Sequence, residues 1–142
     1  MKKIGLVMIV KNESRSLDKC LSLAKKLVDE IYITDTGSTD NTKEIACKHG
    51  ARISDFQWCG DFSAARNYAL KQSDCDWNLI LDADEYLISG RKRDILDFIE
   101  GKNHVGAIER HDSYRESGGE ISQSTVFTTR LVPRGTFYEG KV

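Results

Sequence analysis

The chain has 142 residues, of which 39% are hydrophobic and 30% are charged, and its formal net charge is -1. This composition is typical of one soluble globular domain that buries its own core, so we expect a single domain over residues 1–142. The Lys and Arg residues are scattered, which argues against a nucleic-acid groove, since such a groove needs a basic excess on one face.

The cysteines give no sign of a zinc site. Cys20, Cys47, Cys59 and Cys75 form no C-x-x-C pair and have no clustered histidines beside them. Cys20 and Cys47 fall at apolar positions of predicted helices, and we expect both in the core. The N-terminal apolar run is too short for a signal peptide, and no segment has the length of a membrane span. The expected compartment is therefore the reducing cytoplasm.

The first part of the chain alternates between strand-like and helix-like patterns. Continuous runs of apolar and β-branched residues predict buried strands at residues 4–10, 30–34, 51–56 and 77–81. Apolar residues at helical spacing predict helices between them, over residues 17–28, 40–49 and 62–70. This order predicts an α/β fold with a largely parallel sheet, covered by helices and joined by right-handed crossovers.

Polar and small residues mark the expected helix ends. Ser14 or Ser16 is suited to cap the first helix, and Asp40 is suited to cap the second, which Gly50 closes. The expected buried face of the third helix consists of Phe62, Ala65, Ala69 and Leu70.

After residue 90 the pattern changes. We expect a helix over residues 91–100 and strands at residues 105–110 and 125–132, with Gly118-Gly119 in a hairpin turn between the strands. The chain therefore divides into a parallel α/β half, residues 1–90, and a mixed or antiparallel C-terminal portion, residues 91–142.

Acidic residues follow three of the predicted strands, at the sheet edge where open α/β folds bind ligands. Glu13 follows the first strand, Asp35 the second, and Asp82 and Asp84 the fourth. Taken singly, Glu13 and Asp35 are better explained as turn or cap residues. The segment from Asp82 to Glu85 differs, because its crowded carboxylates repel one another and a bound cation relieves that repulsion. Oxygen ligands favour magnesium, manganese or calcium over zinc.

Arg66 lies beside the buried stripe of the third predicted helix. Two interpretations stay open: its guanidinium complements an anionic ligand or Asp35, or it extends along the helix surface. Trp58 and Trp77 are interpreted as packing residues, although Trp58 lies in a loop near the predicted site. The chain has no G-x-G-x-x-G segment and no Walker A segment for phosphates.

Taken together, these segments resemble family 2 glycosyltransferases. The segments that carry the resemblance occur in order at residues 8–13, 28–40, 61–67 and 81–85. The similarity is greatest to the bacterial branch that includes lipopolysaccharide-core glucosyltransferases, and it is strong over roughly the first 90 residues and weak beyond them. It implies a Rossmann-like GT-A fold and a nucleotide-sugar donor, most often a UDP-sugar.

The resemblance also implies roles for single residues in donor binding. The loop from Val10 through Asn12 to Glu13 would line the nucleoside, with Glu13 near the ribose. Asp35 would contact the uracil or the ribose, and Arg66 would hold the base or the diphosphate.

Asp82 and Asp84 match the D-x-D motif of the family. Both are expected at the Mn²⁺ or Mg²⁺ ion, with Asp84 the expected direct ligand, and Asp82 is also expected to contact the substrate. Such enzymes invert the anomeric centre in one displacement, and the metal stabilises the departing nucleoside diphosphate. They also need a general base. In this branch, a segment resembling residues 137–142 continues into a His-Glu pair, so the base is expected beyond Val142. Glu109 and Asp112 lie on the expected acceptor side, but their spacing assigns them no role.

The expected function is thus sugar transfer from a UDP-sugar to an unidentified saccharide, lipid-linked or protein acceptor, by a C-terminally incomplete GT-A domain. The branch suggests cell-envelope polysaccharide synthesis, with peripheral association at the inner face of the membrane. The alternative is a metal-dependent nucleotide-sugar binding module without turnover. A phosphatase-like D-x-D enzyme fits poorly, because Tyr86 stands where that family has Thr or Val. A nucleotidyltransferase fits poorly as well, since the loop after the first strand is not rich in Gly and Arg.

Overall fold

A computed structural model describes residues 1–100, 105–115, 117–119 and 121–140. Its strands are β1 (Ile4–Val10), β2 (Glu30–Asp35), β3 (Arg52–Asp55), β4 (Trp77–Ile80), β5 (Gly106–Arg115) and β6 (Ile121–Pro133). Its helices are α1 (Leu17–Ala24), α2 (Thr42–Lys48), α3 (Phe62–Lys71) and α4 (Lys92–Ile99), and a 3₁₀ turn (Lys25–Leu27) follows α1. The strands form one six-stranded sheet in the order β3-β2-β1-β4-β6-β5.

The sheet changes direction at β6. The strands β3, β2, β1 and β4 run parallel to one another. β6 then pairs antiparallel with β4, and β5 pairs antiparallel with β6. The predicted parallel first half and the predicted mixed C-terminal portion are both confirmed. The hairpin strands are longer than expected, and Gly119 in the turn between them has a φ of 84°, which glycine adopts without strain.

The sheet is covered on both faces. On one face, Ile4, Leu6 and Met8 of β1 join a core cluster with Leu17 and Leu21 of α1. On the other face, Val7 packs in a second cluster that includes Ala69 and Leu70 of α3. A strand covered on both faces needs apolar side chains at successive positions, which explains the continuous apolar run of β1.

Two residues expected in the core are exposed. Cys20 is fully buried in α1, but Cys47 is exposed because α2 turns Ile45 and Ala46 toward the sheet instead. Phe62 is also outside the core. It is the first residue of α3 and is 51% exposed, whereas Ala65 and the later residues of the predicted stripe are buried.

The helix ends differ slightly from expectation. α1 ends at Ala24 and is preceded by Ser16, whose side chain makes no capping bond. α2 begins at Thr42, after Asn41, yet the Asp40 carboxylate still accepts a hydrogen bond from the Thr42 backbone N–H at 3.0 Å. Within the described part of the chain, no helix has the length and apolar character that crossing a bilayer requires.

Candidate functional site

The carboxyl ends of β1, β2 and β4 meet at one edge of the sheet. Val10 lies opposite Asp35 at the ends of β1 and β2, and the Thr36 backbone N–H donates to the Val10 carbonyl at 3.0 Å. β4 ends at Ile80, so Asp82, two residues later, lies in the next loop at this same edge. The crossover topology therefore brings together acids that are far apart in sequence, as predicted.

Two clefts open at this edge, and they share one wall. Cleft A has a volume of about 440 Å³ and is lined by Val10, Glu13, Thr36, Trp58, Phe62, Arg66, Asp82 and Asp84, among others. Cleft B has a volume of about 610 Å³ and is lined by Asp82, Asp84, Glu85, Tyr86, Glu109, Arg110, Asp112 and Arg130, among others. The D-x-D segment thus stands between the two clefts.

Asp35 lies under the loop beside cleft A. It is 1% exposed, and its Oδ1 accepts hydrogen bonds at 2.8 Å from the backbone N–H groups of Gly37 and Ser38. Burial opposes ionisation, but hydrogen bonds from Ser38 and Gly37 outweigh it and lower the pKa of Asp35 below its usual value. Its Oδ2 is buried without a hydrogen-bond partner among the described residues, although Asp35 itself lines neither cleft.

Asn12 ties two loops together. Its φ is 53°, its side-chain oxygen accepts from the Thr39 backbone N–H at 2.8 Å, and its own N–H donates to the Ser38 hydroxyl at 2.9 Å. These bonds join the loop after β1 to the loop after β2. The structure thus gives Asn12 a role in shaping the site, and its predicted substrate contact stays a prediction.

Glu13 lines cleft A opposite the D-x-D segment. Its backbone N–H donates to the Thr42 hydroxyl at 2.9 Å, which fixes the loop against α2. Burial raises the pKa of the Glu13 carboxyl, a hydrogen bond from Ser16 partly opposes the rise, and the negative charges of Asp84 and Asp82 add to it. A bound cation or a proton would therefore reduce the repulsion between Glu13 and the neighbouring carboxylates.

Asp82 lies between two arginines. Its Oδ1 is 3.5 Å from Nη2 of Arg66, and its Oδ2 is 3.7 Å from Nη2 of Arg130. The same Arg130 atom donates to Glu85 Oε2 at 3.0 Å. The sequence analysis did not single out Arg130. Its one signal was a charged residue inside a predicted strand, directly before the apolar pair Leu131-Val132.

Asp84 has a different environment. It is exposed, lines both clefts and makes no ion pair with any described residue. The described residues also contain no group of three or more His, Cys, Asp or Glu side chains placed to hold a metal. One free carboxylate fits a magnesium or manganese ion whose remaining ligands are water and substrate phosphates, a mode that needs no protein cage.

Arg66 is presented by α3. The Asp61 carboxylate caps this helix by accepting from the backbone N–H groups of Ser63 and Ala64, at 2.9 and 3.4 Å. Arg66 Nη1 is buried without a hydrogen-bond partner among the described residues. Between the two interpretations of Arg66, this favours the anion-binding one, since the guanidinium lines a cleft and keeps an unused donor.

Aromatic side chains border Arg66. Trp58 and Phe62 pack edge to face with their ring centroids 4.7 Å apart, and they are 39% and 51% exposed. Trp77 is buried in the core, as expected, whereas Trp58 forms part of the rim of cleft A. Arg66 also lies 5.9 Å from the centroid of the Tyr138 ring, which the Asn67 side chain holds by two hydrogen bonds to the Tyr138 backbone.

Glu109 and Asp112 both line cleft B. Glu109 pairs with His111 at 3.0 Å, and Asp112 pairs with Arg110 at 2.9 Å. Each carboxylate therefore has a neighbouring cationic or histidine partner on β5, and neither has the isolated, buried setting typical of a general base.

The sequence profile of glycosyl transferase family 2 matches residues 6–141, nearly the whole chain. The chain belongs to glycosyl transferase family 2. An uncharacterized glycosyltransferase of Rickettsia felis is 34% identical over 114 residues, which cover 80% of this chain and 38% of that protein. A TPR repeat-containing protein of Synechococcus elongatus is 48% identical over 88 residues, or 62% of this chain and 22% of that protein. This family 2 chain thus spans well under half of either relative.

Solved family 2 structures share the fold. TarS 1-349 of S. aureus in complex with UDP superimposes with a TM-score of 0.59 at 28% identity, covering 69% of this chain and 32% of that one. Glucosyl-3-phosphoglycerate synthase of Mycobacterium tuberculosis, in a complex with Mn²⁺ and UDP, gives a TM-score of 0.53 at 22% identity, covering 60% and 36%. The predicted GT-A architecture is confirmed. The proposed lipopolysaccharide-core branch stays a prediction.

Proposed function

We propose that this chain carries the donor site of an inverting glycosyltransferase and that cleft A binds a nucleoside diphosphate sugar, most simply a UDP-sugar. The observation that carries the proposal is the meeting of an unused guanidinium donor, an unused buried acceptor and a free carboxylate at one sheet edge. The UDP and UDP-GlcNAc complexes of TarS support the choice of uridine nucleotide.

The nucleoside end lies toward Asp35. Uracil presents an N–H donor, and Asp35 Oδ2 is a buried acceptor with no partner among the described residues. An ionised carboxylate makes a stronger hydrogen bond than a neutral acceptor, and the lowered pKa of Asp35 keeps it ionised. Thr36, the residue after Asp35, lines cleft A together with Glu13.

The diphosphate lies toward Arg66 and Asp84. The Arg66 guanidinium would donate a charge-assisted hydrogen bond to a phosphate oxygen, and Trp58 and Phe62, which line the same cleft, would limit the access of water to that bond. Asp84 would hold the metal, with Asp82 as its predicted neighbour in this task. A bound Mn²⁺ or Mg²⁺ would supply positive charge that stabilises the nucleoside diphosphate as it leaves.

Cleft B is the proposed acceptor side. It borders the same D-x-D wall as cleft A, so an acceptor hydroxyl there would approach the sugar across Asp84. The general base stays unassigned, and Lys141 and Val142 lie outside the described residues. The cytoplasmic location and the acceptor class stay predictions from the sequence resemblance.

The test is calorimetric titration of the chain with UDP, in Mn²⁺ and again in EDTA. We expect binding to be at least about tenfold tighter in Mn²⁺, because a cation held by Asp84 would supply positive charge to the phosphates. Asp84→Asn should remove most of this gain. The matched control is Asp74→Asn, since Asp74 is an exposed acid that pairs with Arg134 away from both clefts. Equal affinity with and without metal, or an unimpaired Asp84→Asn variant, would contradict the metal role.

Turnover separates the enzyme from the binding module. Release of free sugar from a UDP-sugar in the presence of Mn²⁺ would show that the chain activates the donor. Tight binding of UDP-sugar with no hydrolysis and no transfer would favour the module without turnover.

A further inference from the structure

Arg130 is a charged residue held inside the fold. Its side chain is 11% exposed, and its Nη2 lies 3.0 Å from Glu85 Oε2 and 3.7 Å from Asp82 Oδ2. A guanidinium this buried needs acidic partners, because an unpaired charge in such a place is strongly unfavourable. Its partners are two acids of the D-x-D loop.

The sheet topology brings Arg130 to this place. β6 runs antiparallel to β4, and Leu131 lies opposite Leu79. Arg130 therefore lies one residue further toward the carboxyl end of β4, where the loop begins. A parallel neighbour would present its own carboxyl end here, so the reversal of β6 is what carries this arginine to the site.

Glu85 connects Arg130 to the loop backbone. Its Oε1 accepts from the Asp82 backbone N–H at 2.8 Å, and its Oε2 accepts from Arg130 at 3.0 Å. The Glu85 backbone N–H closes the turn by donating to the Asp82 carbonyl at 3.0 Å. Glu85 therefore fixes both the conformation of the turn and its distance from β6.

The charges of this group balance. Arg66 and Arg130 contribute two positive charges, and Asp82 and Glu85 contribute two negative charges through the contacts between them. Asp84 is then the D-x-D carboxylate whose charge no described residue pairs. Arg130 Nε is buried without a hydrogen-bond partner among the described residues, so the guanidinium is not saturated by these two acids.

We propose that Arg130 is a positioning residue that holds Asp82 and Glu85 in internal ion pairs, so that Asp84 is the D-x-D carboxylate left to meet the metal and the segment places less negative charge beside the donor phosphates. This inference rests on the proposed function of cleft A. It gives Arg130, in the antiparallel portion, an indirect role in donor binding, because Arg130 itself does not contact the donor. These ion pairs also reduce the repulsion that the crowded acids would exert on a phosphate.

The inference predicts that replacing Arg130 changes the affinities for Mn²⁺ and for UDP in opposite directions. In Arg130→Met, Asp82 and Glu85 lose a cation, so the added negative potential should strengthen binding of Mn²⁺ alone by about three- to tenfold. The same potential should weaken binding of UDP in EDTA by about three- to tenfold. Glu85→Gln removes a negative charge instead, so both shifts should reverse.

The experiment measures Mn²⁺ affinity by electron paramagnetic resonance and UDP affinity in EDTA by calorimetry, on the full chain. Arg130→Lys keeps the charge and should restore both affinities toward the unmodified values. The control is Arg134→Met, which removes one positive charge at an exposed position paired with Asp74 and leaves the D-x-D loop untouched. Neither affinity should change by more than about twofold in this control.

The measured affinities distinguish a positioning role of Arg130 from a purely structural one. Opposite shifts in Arg130→Met, with reversal in Glu85→Gln, support the positioning role. A fall in both affinities in Arg130→Met and in Arg130→Lys would overturn it in favour of a purely structural role, as would unchanged affinities in both Arg130→Met and Glu85→Gln. If Arg130→Met does not fold, the Glu85→Gln shifts decide alone. If the unmodified chain binds no UDP under any condition, the proposed function itself fails and this inference fails with it.

Discussion

At the scale of single residues, Glu13 is held close to other acids, and this proximity lowers the stability of the folded chain. Its carboxylate faces Asp82 and Asp84 across cleft A, and burial together with these like charges raises its pKa. A carboxyl whose pKa is higher in the folded state binds its proton more tightly there than in the unfolded chain. Stability is therefore lost as pH rises from the usual Glu pKa, about 4.3, through the raised value.

Glu13→Gln tests whether the charge of Glu13 lowers stability while serving ligand binding. Without ligand at pH 7, we expect the variant to unfold about 1 to 3 °C higher, because the repulsion is gone while an oxygen remains to accept from Ser16. Near pH 4 the two chains should unfold at the same temperature. UDP affinity should fall about tenfold if Glu13 bonds the ribose. A variant that is less stable at pH 7 would contradict the account.

At the scale of elements, α3 depends on one capping side chain. Asp61 accepts from two backbone N–H groups of the first turn, and that turn and the next carry Phe62 and Arg66 into cleft A. The first N–H groups of any helix lack partners within the helix, so a capping carboxylate both starts the helix and fixes its position. The end of α3 that faces cleft A is thus held by a residue outside the helix.

Asp61→Ala should destabilise the chain by about 1 kcal/mol, which is typical of a lost N-cap. Chemical denaturation measures the loss. Asp61→Asn is the control, since asparagine caps as well as aspartate and should retain nearly all of the stability. Equal destabilisation in the two variants would show that the charge, and not the cap, is what matters.

At the scale of the whole molecule, the two portions of the chain share one sheet and one core. β6 pairs with β4, and Leu131 and Ile99 join the core cluster built by β1 and α1. Val132 joins the cluster on the opposite face. The predicted division into residues 1–90 and 91–142 therefore describes a change of pattern along the chain, while the core and the sheet are continuous across it.

A chain of residues 1–90 should therefore fail to fold cooperatively. It would leave β4 as an open edge and expose apolar side chains that β6 and α4 cover. Thermal unfolding followed by circular dichroism, compared with a chain ending at residue 140, checks this. A sharp unfolding transition in the 1–90 chain would show that the first half is an independent unit.

Much of this protein follows from its sequence alone. The buried strands, the parallel order of the first half and the placing of Glu13, Asp35, Asp82 and Asp84 at one edge are consequences of local hydrophobic pattern and crossover handedness. The place of Arg66 beside them came only from the family resemblance. The sequence predicted less well which helix residues face the core. Phe62 and Cys47 are apolar residues at helix positions that turn outward, since orientation depends on which face the sheet covers.

Only the tertiary structure decided how the site is neutralised. The sequence shows crowded acids after β4 and suggests a cation to balance them. The structure supplies Arg66 from α3 and Arg130 from β6, and it leaves Asp84 as the D-x-D carboxylate unpaired by any described residue. Arg130 lies 45 residues from Glu85 in sequence, and their meeting depends on the antiparallel pairing of β6 with β4. Local pattern does not encode such a contact, because strand direction and register are set by the packing of the whole sheet.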